Sequence, residues 1–486
     1  MSTSNTARGA TWKSVLVLAV WAAIYLPGLG TLEIKGEEGR RILPAVMMLQ
    51  TGNYIVPQIG SDPYFTKPPL VNWLVAASFT LFGQRSEWTA RFPSALCVLA
   101  VALAFVMIAR GALGANGSLA AAIIWLTNFG IIEKGRLIEI EALYASLTGL
   151  AIVCWLSFWK ERRSKWLTWI VPWAFLGLAM LAKGPVHLLF FYGIVIGVLY
   201  RNRELRRLFN VAHVLGIILM LGLFAAWAIP CLQLAPDSNV THAWSRQFSG
   251  RVSGEDFDLR GWVMNIPRGL AYFLPWTILL AFMRRTRFAT ERDARMASGL
   301  AWGVGVSFVV VSLVPGALPR YTMPLLAAAA WLAAMLITAE AFELPQWLRP
   351  RWPARVYPQL RLPAIVAAAV CFAIAVYAFA AMPFLKRREK VRNIAAQINA
   401  ALPPGEPLYA IDPDYQPALF YVRDPIVYVR RVTDLPESAR EVLVQARDEA
   451  VAMSSERWRP LKARPVLRLK DYRNKTVTLL RISDET

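Results

Sequence analysis

Long uncharged stretches divide most of the chain into segments of membrane-spanning length. A transmembrane helix needs roughly 17–25 predominantly apolar residues. Ten stretches fit or exceed this range, at 14–32, 92–109, 112–132, 142–159, 166–182, 184–200, 208–236, 296–319, 321–339 and 362–385. A shorter stretch at 269–283 brings the number of predicted spans to eleven. The pattern predicts an α-helical polytopic membrane protein.

A twelfth uncharged stretch, 68–84, is predicted to lie along the membrane surface and not to cross it. The loops with most cations then all fall on the side of the N-terminus, with 17 Lys and Arg against four in the short loops of the other face. These cationic loops are 160–165, 201–207, 284–295 and 349–361. The positive-inside rule places them and the N-terminus in the cytosol. The chain after residue 385 then faces outward, into the periplasm of a bacterium.

The last part of the chain, 386–486, has a charged, proline-punctuated pattern that predicts a small outward α/β domain. A helical pattern covers 387–401, and β-like runs follow at 408–411, 426–429, 450–453, 466–469 and 476–482. We therefore predict two domains: a membrane domain, 1–385, and a periplasmic domain, 386–486. The outward loops of the membrane domain are expected at 33–91, 133–141 and 237–268.

The composition agrees with a membrane protein and excludes several soluble classes. Of the 486 residues, 56% are hydrophobic and 17% are charged, whereas soluble domains carry about a quarter charged residues. The basic cytosolic loops, which face anionic lipid headgroups, explain most of the net charge of +21, so no nucleic-acid partner is expected. The four cysteines lie in apolar runs without metal-ligand spacing, which predicts neither a disulfide framework nor a zinc site.

The outward loops bring carboxylates and cations close to the apolar spans. Cations such as Arg91 and Arg268 have an ordinary explanation, since they can anchor helix ends at the headgroups. Carboxylates are not drawn to anionic lipid phosphates in this way, so their position beside the spans indicates function. The carboxylates concerned are Glu37, Glu38, Glu139 and Glu141, and the nearby cations are Lys67, Lys183, Arg251 and Arg320.

These residue types suit the transfer of a sugar from a lipid phosphate. The phosphate is already a good leaving group, so the reaction needs cations to hold it and one carboxylate as general base for the incoming hydroxyl. A second carboxylate could orient the acceptor or stabilise positive charge on the sugar ring. No metal is required by this scheme, although a carboxylate pair could bind a divalent cation.

Several motifs, at 37–40, 52–57, 64–69 and 136–141 among others, resemble those of the GT-C lipid-phosphosugar-dependent glycosyltransferases. The likeness is greatest to the bacterial lipid A aminoarabinose transferases and to relatives of the dolichyl-phosphate-mannose protein mannosyltransferases. The most specific matches are Gly52-Asn53-Tyr54-Ile55-Val56-Pro57 and Tyr64-Phe65-Thr66-Lys67-Pro68-Pro69, which are similar to the family's G-D-W-I-V-P and Y-F-E-K-P-P. Other matches are Glu37-Glu38-Gly39-Arg40, Arg136 five residues before Glu141, Lys183-Gly184, Trp244…Phe248…Arg251 and Leu318-Pro319-Arg320-Tyr321…Pro324.

The resemblance implies a GT-C-like fold and an inverting glycosyltransferase in the bacterial inner membrane. Its donor would be a sugar on a polyprenyl phosphate of the undecaprenyl type, and its acceptor an envelope component such as lipid A, another glycolipid, a polysaccharide or a protein. By resemblance, Glu37 or Glu38 acts on the acceptor hydroxyl, and Glu141, with Glu139 nearby, is the second acidic group. The implied phosphate- and sugar-binding residues are Arg40, Tyr64, Lys67, Arg136, Lys183, Arg251, Arg320 and Tyr321.

Two other functions stay open at this point. A transporter or flippase for lipid-linked sugars predicts repeat symmetry or charges near the bilayer midplane, and the pattern shows neither. A catalytically inactive, glycolipid-binding relative is suggested because both acidic positions are Glu here, whereas the family usually has Asp.

Overall fold

Helices dominate the computed structural model, which confirms the predicted α-helical membrane class with a small C-terminal sheet domain. The structure describes residues 2–235, 244, 257–280, 286–340, 358–413, 416–423, 425–459, 461–471 and 473–484. The first nine α-helices are α1 (Ser2–Tyr25), α2 (Gly39–Thr51), α3 (Leu70–Phe82), α4 (Glu87–Met107), α5 (Arg110–Leu126), α6 (Phe129–Gly135), α7 (Ile140–Lys160), α8 (Lys165–Lys183) and α9 (His187–Arg201). The later helices are α10 (Val211–Leu234), α11 (Leu259–Val263), α12 (Asn265–Ala271), α13 (Thr277–Leu280), α14 (Glu291–Leu313), α15 (Leu326–Ile337), α16 (Arg361–Val376), α17 (Met382–Lys386), α18 (Val391–Ala401) and α19 (Ala446–Ser454). The strands are β1 (Gln58–Ile59), β2 (Asp62–Pro63), β3 (Leu408–Ile411), β4 (Ile426–Val429), β5 (Glu441–Gln445), β6 (Lys462–Lys470) and β7 (Thr476–Ser483).

Within the described part of the chain, seven helical segments are long and apolar enough to cross a membrane. They are Glu87–Met107, Ile140–Lys160, Lys165–Lys183, Val211–Leu234, Glu291–Leu313, Pro319–Ile337 and Arg361–Lys386. The bent pair α5 and α6 would make an eighth, and shorter apolar helices cover Thr11–Tyr25, Leu70–Phe82 and His187–Arg201. Most of the predicted spans therefore coincide with helices, while the predicted total of eleven stays a prediction.

Two predicted spans are interrupted and not continuous. The stretch 112–132 bends by 57° between α5 and α6. The stretch 269–283 is divided into α12 and α13, with Pro275 between them; proline has no N–H to continue a helix. The two breaks are joined, because the N–H groups of Phe129 and Gly130 donate to the carbonyls of Leu274 and Tyr272, at 3.0 and 2.9 Å. The backbone groups freed by each break thus find partners in the other.

The chain forms two compact units, each built from separate stretches of sequence. The first consists of Met1–Pro27, Thr66–Val71 and Arg91–Ala378, and the second of Gly28–Phe65, Asn72–Ala90 and Phe379–Thr486. The second unit therefore combines most of the predicted first outward loop, 33–91, with the C-terminal tail. The predicted domains, 1–385 and 386–486, are divided where the last predicted span ends, whereas the two units are defined by contacts within the fold. The predicted division therefore stays a prediction.

Close helix packing in the first unit depends on glycine pairs spaced four residues apart. Gly193 and Gly197 of α9 face Gly299 and Gly303 of α14. A Cβ at Gly299 would lie 2.6 Å from the carbonyl oxygen of Gly197, and one at Gly303 would lie 2.5 Å from that of Gly193. Only glycine permits backbones to approach this closely, as in small-residue motifs of membrane helices.

The C-terminal part of the second unit is a mixed five-stranded sheet in the order β4-β3-β5-β7-β6. Strand β3 is parallel to β4 and β5, whereas β7 is antiparallel to β5 and β6. Of the five predicted β-like runs, four lie in strands, and the helix predicted at 387–401 is present as α18.

In the C-terminal sheet, one predicted strand is wrong and one observed strand is absent from the prediction. The run 450–453 lies inside helix α19, and β5, at Glu441–Gln445, was not predicted. An apolar run of only four residues fits either a strand or a buried helical turn. The acidic residues Asp448 and Glu449 in the first turn favour the helix through its dipole.

Candidate functional site

The loop that joins α6 to α7, which we call the second acidic loop, brings two candidate carboxylates to the start of a membrane span. Glu139 is the N-cap residue of α7, and Glu141 lies in its first turn. Ahead of them, Arg136 is buried and donates to the backbone carbonyls of Ile24 and Pro27. The predicted substrate-binding residue Arg136 thus anchors the loop to the end of α1 in this structure.

Glu141 lies between two cations from distant parts of the chain. Its Oε1 is 3.3 Å from Lys183 Nζ, at the end of α8, and 3.0 Å from Arg320 Nε, in the 3-10 helix Pro319–Leu325. The side chain of Glu141 is only 11% exposed, while Arg320 is 34% exposed. The ammonium of Lys183 also lies 4.3 Å from the centre of the Tyr321 ring. Four of the predicted site residues therefore meet in the first unit.

The backbone around Lys183 is fixed by neighbouring polar groups. Gly184 ends α8 with a φ of 104°, a left-handed conformation that favours glycine. Its carbonyl accepts from the Tyr144 hydroxyl at 3.2 Å and lies 2.9 Å from His187 Nδ1. These contacts hold the end of α8 in place.

Glu139 has a separate cationic partner, Lys134 of α6. Lys134 Nζ lies 3.1 Å from Glu139 Oε2 and 3.0 Å from Glu133 Oε1. Burial raises the pKa of Glu139 above the ordinary glutamate value, with the Lys134 charge acting in the opposite direction. A carboxyl of this kind holds its proton to a higher pH than an exposed one, which suits a group that exchanges protons.

The loop that carries Glu37 and Glu38, which we call the first acidic loop, belongs to the second unit, and two arginines lie beside its Glu37 carboxylate. Glu37 accepts from Arg40 at 3.3 Å and lies 4.0 Å from Arg41, whose guanidinium donates to the Tyr64 hydroxyl at 2.7 Å. The Glu37 side chain is 44% exposed, whereas Glu38 is buried. The structure thus joins the predicted residues Glu37, Arg40 and Tyr64 through Arg41.

Two further predicted residues belong to other loops. Lys67 lies half-buried in the proline-flanked loop before α3. Arg251 lies outside the described residues, together with much of the predicted outward loop 237–268.

Sequence reasoning missed two cations that pair with the candidate carboxylates, Arg41 and Lys134. Arg41 follows Glu37 by four residues, the spacing at which side chains meet on a helix, so the signal was present. Lys134 precedes Glu139 by five residues across a turn, and no regular spacing announces such a contact.

The need for a metal ion is a separate question from the charge pairs. Among the residues that the structure describes, no group of three or more His, Cys, Asp and Glu side chains could hold a metal ion. Cys97, Cys154, Cys231 and Cys371 are free thiols. That the reaction needs no metal remains a prediction.

Comparisons with known proteins find similarity to a family model, to curated relatives and to solved structures. Residues 66–229 match the family model described as dolichyl-phosphate-mannose-protein mannosyltransferase. A protein of Proteus mirabilis named undecaprenyl phosphate-alpha-4-amino-4-deoxy-L-arabinose arabinosyl transferase 2 is 28% identical over 298 residues, covering 59% of this chain and 52% of its own length. A protein of the same name from Pseudomonas fluorescens is 24% identical over 331 residues, with coverages of 67% and 56%. The chain therefore spans about half the length of the curated relatives it matches.

The fold comparison covers nearly the whole chain. The crystal structure of ArnT from Cupriavidus metallidurans bound to undecaprenyl phosphate matches with a TM-score of 0.67 at 20% identity, covering 99% of this chain and 98% of that one. The apo form matches with a TM-score of 0.68 at 19% identity. The sequence-based resemblance to this family and its fold is confirmed.

Proposed function

We propose that this chain, which has the fold of ArnT and resembles the GT-C glycosyltransferases in sequence, moves a sugar from a polyprenyl phosphate to an envelope acceptor. The reaction would take place at the periplasmic face of the bacterial inner membrane and would invert the configuration of the sugar. The donor would be an undecaprenyl-type phosphate sugar, and the acceptor would be lipid A, another glycolipid, a polysaccharide or a protein.

The observation that supports this proposal best is the cluster of Lys183, Arg320 and Glu141. Two cations from different helices converge on one carboxylate where a membrane span begins. Arg320 keeps a third of its side chain exposed, so a lipid phosphate could bind beside Glu141 with a charge-assisted hydrogen bond. Glu141 would hold both cations in place before the donor arrives.

The chemistry follows from these charges. The acceptor oxygen would attack the anomeric carbon while the bond from that carbon to the phosphate oxygen breaks. The bond electrons would leave with the polyprenyl phosphate, whose negative charge Lys183 and Arg320 would stabilise. The proton of the acceptor hydroxyl would pass to a carboxylate, and a single displacement needs one such base.

Between the carboxylates of the first loop, Glu37 suits the role of base better than Glu38. Glu37 is nearly half exposed, so an acceptor hydroxyl can reach it, whereas Glu38 is buried. Arg40 and Arg41 would hold the Glu37 carboxylate in a fixed orientation.

The test is sugar transfer by the purified chain in detergent or lipid nanodiscs, with radiolabelled polyprenyl-phosphate sugars and a membrane extract as acceptor source. We expect release of polyprenyl phosphate, and a loss of about 100-fold or more in Glu37→Gln, as is typical when a general base is removed. Glu141→Gln should also transfer more slowly, because Lys183 and Arg320 lose the carboxylate that holds them in place. Glu38→Gln would be affected less. Donor binding, measured separately, should persist in Glu37→Gln.

Glu161→Gln is the matched control, because Glu161 follows the opposite end of α7 from Glu141 and pairs with Arg163. It should transfer at the wild-type rate. Donor binding without transfer in every chain, the wild type included, would favour the inactive relative. Movement of donor across a bilayer without transfer would favour the flippase.

A further inference from the structure

A buried carboxylate of the first outward loop caps a helix of the C-terminal tail. Glu33 Oε2 accepts from the backbone N–H groups of Val391 and Arg392, at 2.8 and 3.0 Å, and its Oε1 accepts from Lys390 at 3.2 Å. Glu33 is 7% exposed, and the capped helix, α18, has 11 residues. Three charge-assisted hydrogen bonds to one carboxylate fix the start of α18 to the loop that carries Glu33.

Arg392, in the same helix, makes a second connection between the C-terminal tail and the first part of the chain. Its Nε donates to Glu87 at 3.0 Å, at the start of α4, and its Nη1 donates to Glu389 at 2.9 Å. The same Nη1 lies 3.2 Å from the carbonyl oxygen of Thr31, two residues before Glu33. Burial alone would lower the pKa of Arg392, but the hydrogen bond and the charge of Glu87 raise it above the ordinary arginine value.

Tyr421 makes a third connection. Its hydroxyl donates to Glu87 at 2.8 Å and accepts from the backbone N–H of Ile34 at 2.7 Å. Residues 31–34 are therefore held by side chains or backbone groups of the tail at three points along the loop. We name the set Thr31, Glu33, Ile34, Glu87, Glu389, Arg392 and Tyr421 the tail anchor.

Three residues of the tail anchor, Thr31, Glu33 and Ile34, lie just before the candidate base Glu37 in the chain. Only Lys35 and Gly36 separate Ile34 from Glu37, and Gly36 has a φ of +57°, with no atom within 4 Å of where a Cβ would lie. Beyond Glu37, the Arg41 carbonyl accepts from the Asn72 amide at 2.8 Å. The short segment carrying Glu37 is therefore held at both ends, and the tail supplies the hold on its N-terminal side.

We propose that Glu33 and Arg392 are positioning residues, through which the C-terminal tail sets the place of the Glu37 loop for sugar transfer. The inference rests on the proposed function and assigns a role to the tail in it. A displacement of about 1 Å at a reacting group can reduce a rate by about 100-fold. Loss of the tail anchor should therefore slow the reaction without removing any group that touches substrate.

The experiment compares Arg392→Ala, Arg392→Lys and Glu33→Gln in the full chain, with kcat, donor KM and thermal unfolding measured for each. We expect kcat to fall about tenfold or more in Arg392→Ala and Glu33→Gln. Donor KM should change by less than about twofold, because the cations proposed to hold the phosphate are elsewhere. Arg392→Lys should recover part of kcat, since lysine keeps the charge but not the fork of donors.

Arg447→Ala is the matched control, because Arg447 belongs to the same tail and pairs with Asp412 at an exposed site. Its kcat should equal that of the wild type. Wild-type kcat in Arg392→Ala and Glu33→Gln would overturn the inference, and so would a loss of kcat that only follows a loss of folded protein. A wild-type chain that transfers no sugar would contradict the proposed function instead.

Discussion

The four candidate carboxylates differ from one another in their immediate neighbours. Glu141 lies between Lys183 and Arg320, Glu139 shares Lys134 with Glu133, Glu37 faces two arginines, and Glu38 is buried. A charge near the apolar part of a membrane is costly unless it is paired. Pairing therefore explains how Glu37, Glu139 and Glu141 are tolerated, and their different partners explain why their roles need not be equivalent.

At this scale the pKa of Glu139 leads to a pH prediction. Burial raises this pKa, so Glu139 becomes ionised only as the pH rises above the ordinary glutamate value of about 4.3. If ionised Glu139 is required for transfer, kcat should rise with pH through this raised value. Lys134→Met removes the charge that opposes the shift, so the acidic limb should move to higher pH. The measurement is kcat as a function of pH.

The control for this profile is Lys165→Met, since Lys165 begins α8 at the end opposite Lys183. Its acidic limb should coincide with that of the wild type. An unchanged limb in Lys134→Met would show that Glu139 does not govern the profile.

At the scale of elements, the contact between α9 and α14 shows how the membrane helices pack. Its glycines allow the two backbones to touch, so dispersion contacts replace the hydrophobic drive that lipid does not provide. The 3-10 helix that carries Arg320, Pro319–Leu325, follows α14 in the chain.

This packing leads to a stability prediction. Gly299→Ala places a Cβ 2.6 Å from the Gly197 carbonyl oxygen, so the helices must separate. We expect a loss of about 1–3 kcal/mol in the free energy of unfolding, as for other overpacked sites. Thermal unfolding in detergent measures it.

Gly305→Ala is the control on the same helix, because a Cβ there meets no atom within 4 Å. Its stability should be unchanged or slightly higher, since alanine favours helices. Equal stability of the two variants would show that the close approach of α9 and α14 contributes little.

A bulge in β6 determines on which side of the sheet the cations of this strand lie. Lys462 and Arg464 pair with Ser483 and Arg481, whereas Arg468 pairs with Thr478 after the register shift between Pro465 and Leu467. Because one extra residue exchanges the two faces of a strand, the earlier and later cations point to opposite sides of the sheet. This strand therefore does not form one continuous basic stripe.

At the scale of the whole molecule, the distribution of cations predicts the orientation in the membrane. The positive-inside rule places the loop 201–207 in the cytosol and the C-terminal tail outside. In a chain whose four cysteines are replaced by alanine, a membrane-impermeant maleimide should label Ser438→Cys in intact spheroplasts. It should label Arg206→Cys only after permeabilisation; both positions are exposed. Labelling in the reverse pattern would invert the proposed topology.

The sequence by itself determined the class of the protein, most of its helices and the family resemblance. Apolar runs long enough to cross a bilayer must form helices there, because backbone groups in lipid have no other partners. The motifs around Glu37, Lys67 and Glu141 were recognisable because they are contiguous in the chain. Most strands of the tail could be predicted for a related reason, since each is a local run bounded by turn residues.

Only the tertiary structure decided which charges meet. Glu141 contacts Lys183 and Arg320 from 42 and 179 residues away in the chain, and Glu33 caps a helix that begins 358 residues later. Such contacts depend on how helices are arranged, and residue spacing carries no signal of that arrangement. The same is true of the breaks at Asn128 and Pro275, where each interrupted helix takes its hydrogen-bond partners from the other. Local pattern thus fixes the elements, while the pairing of buried polar groups fixes the site.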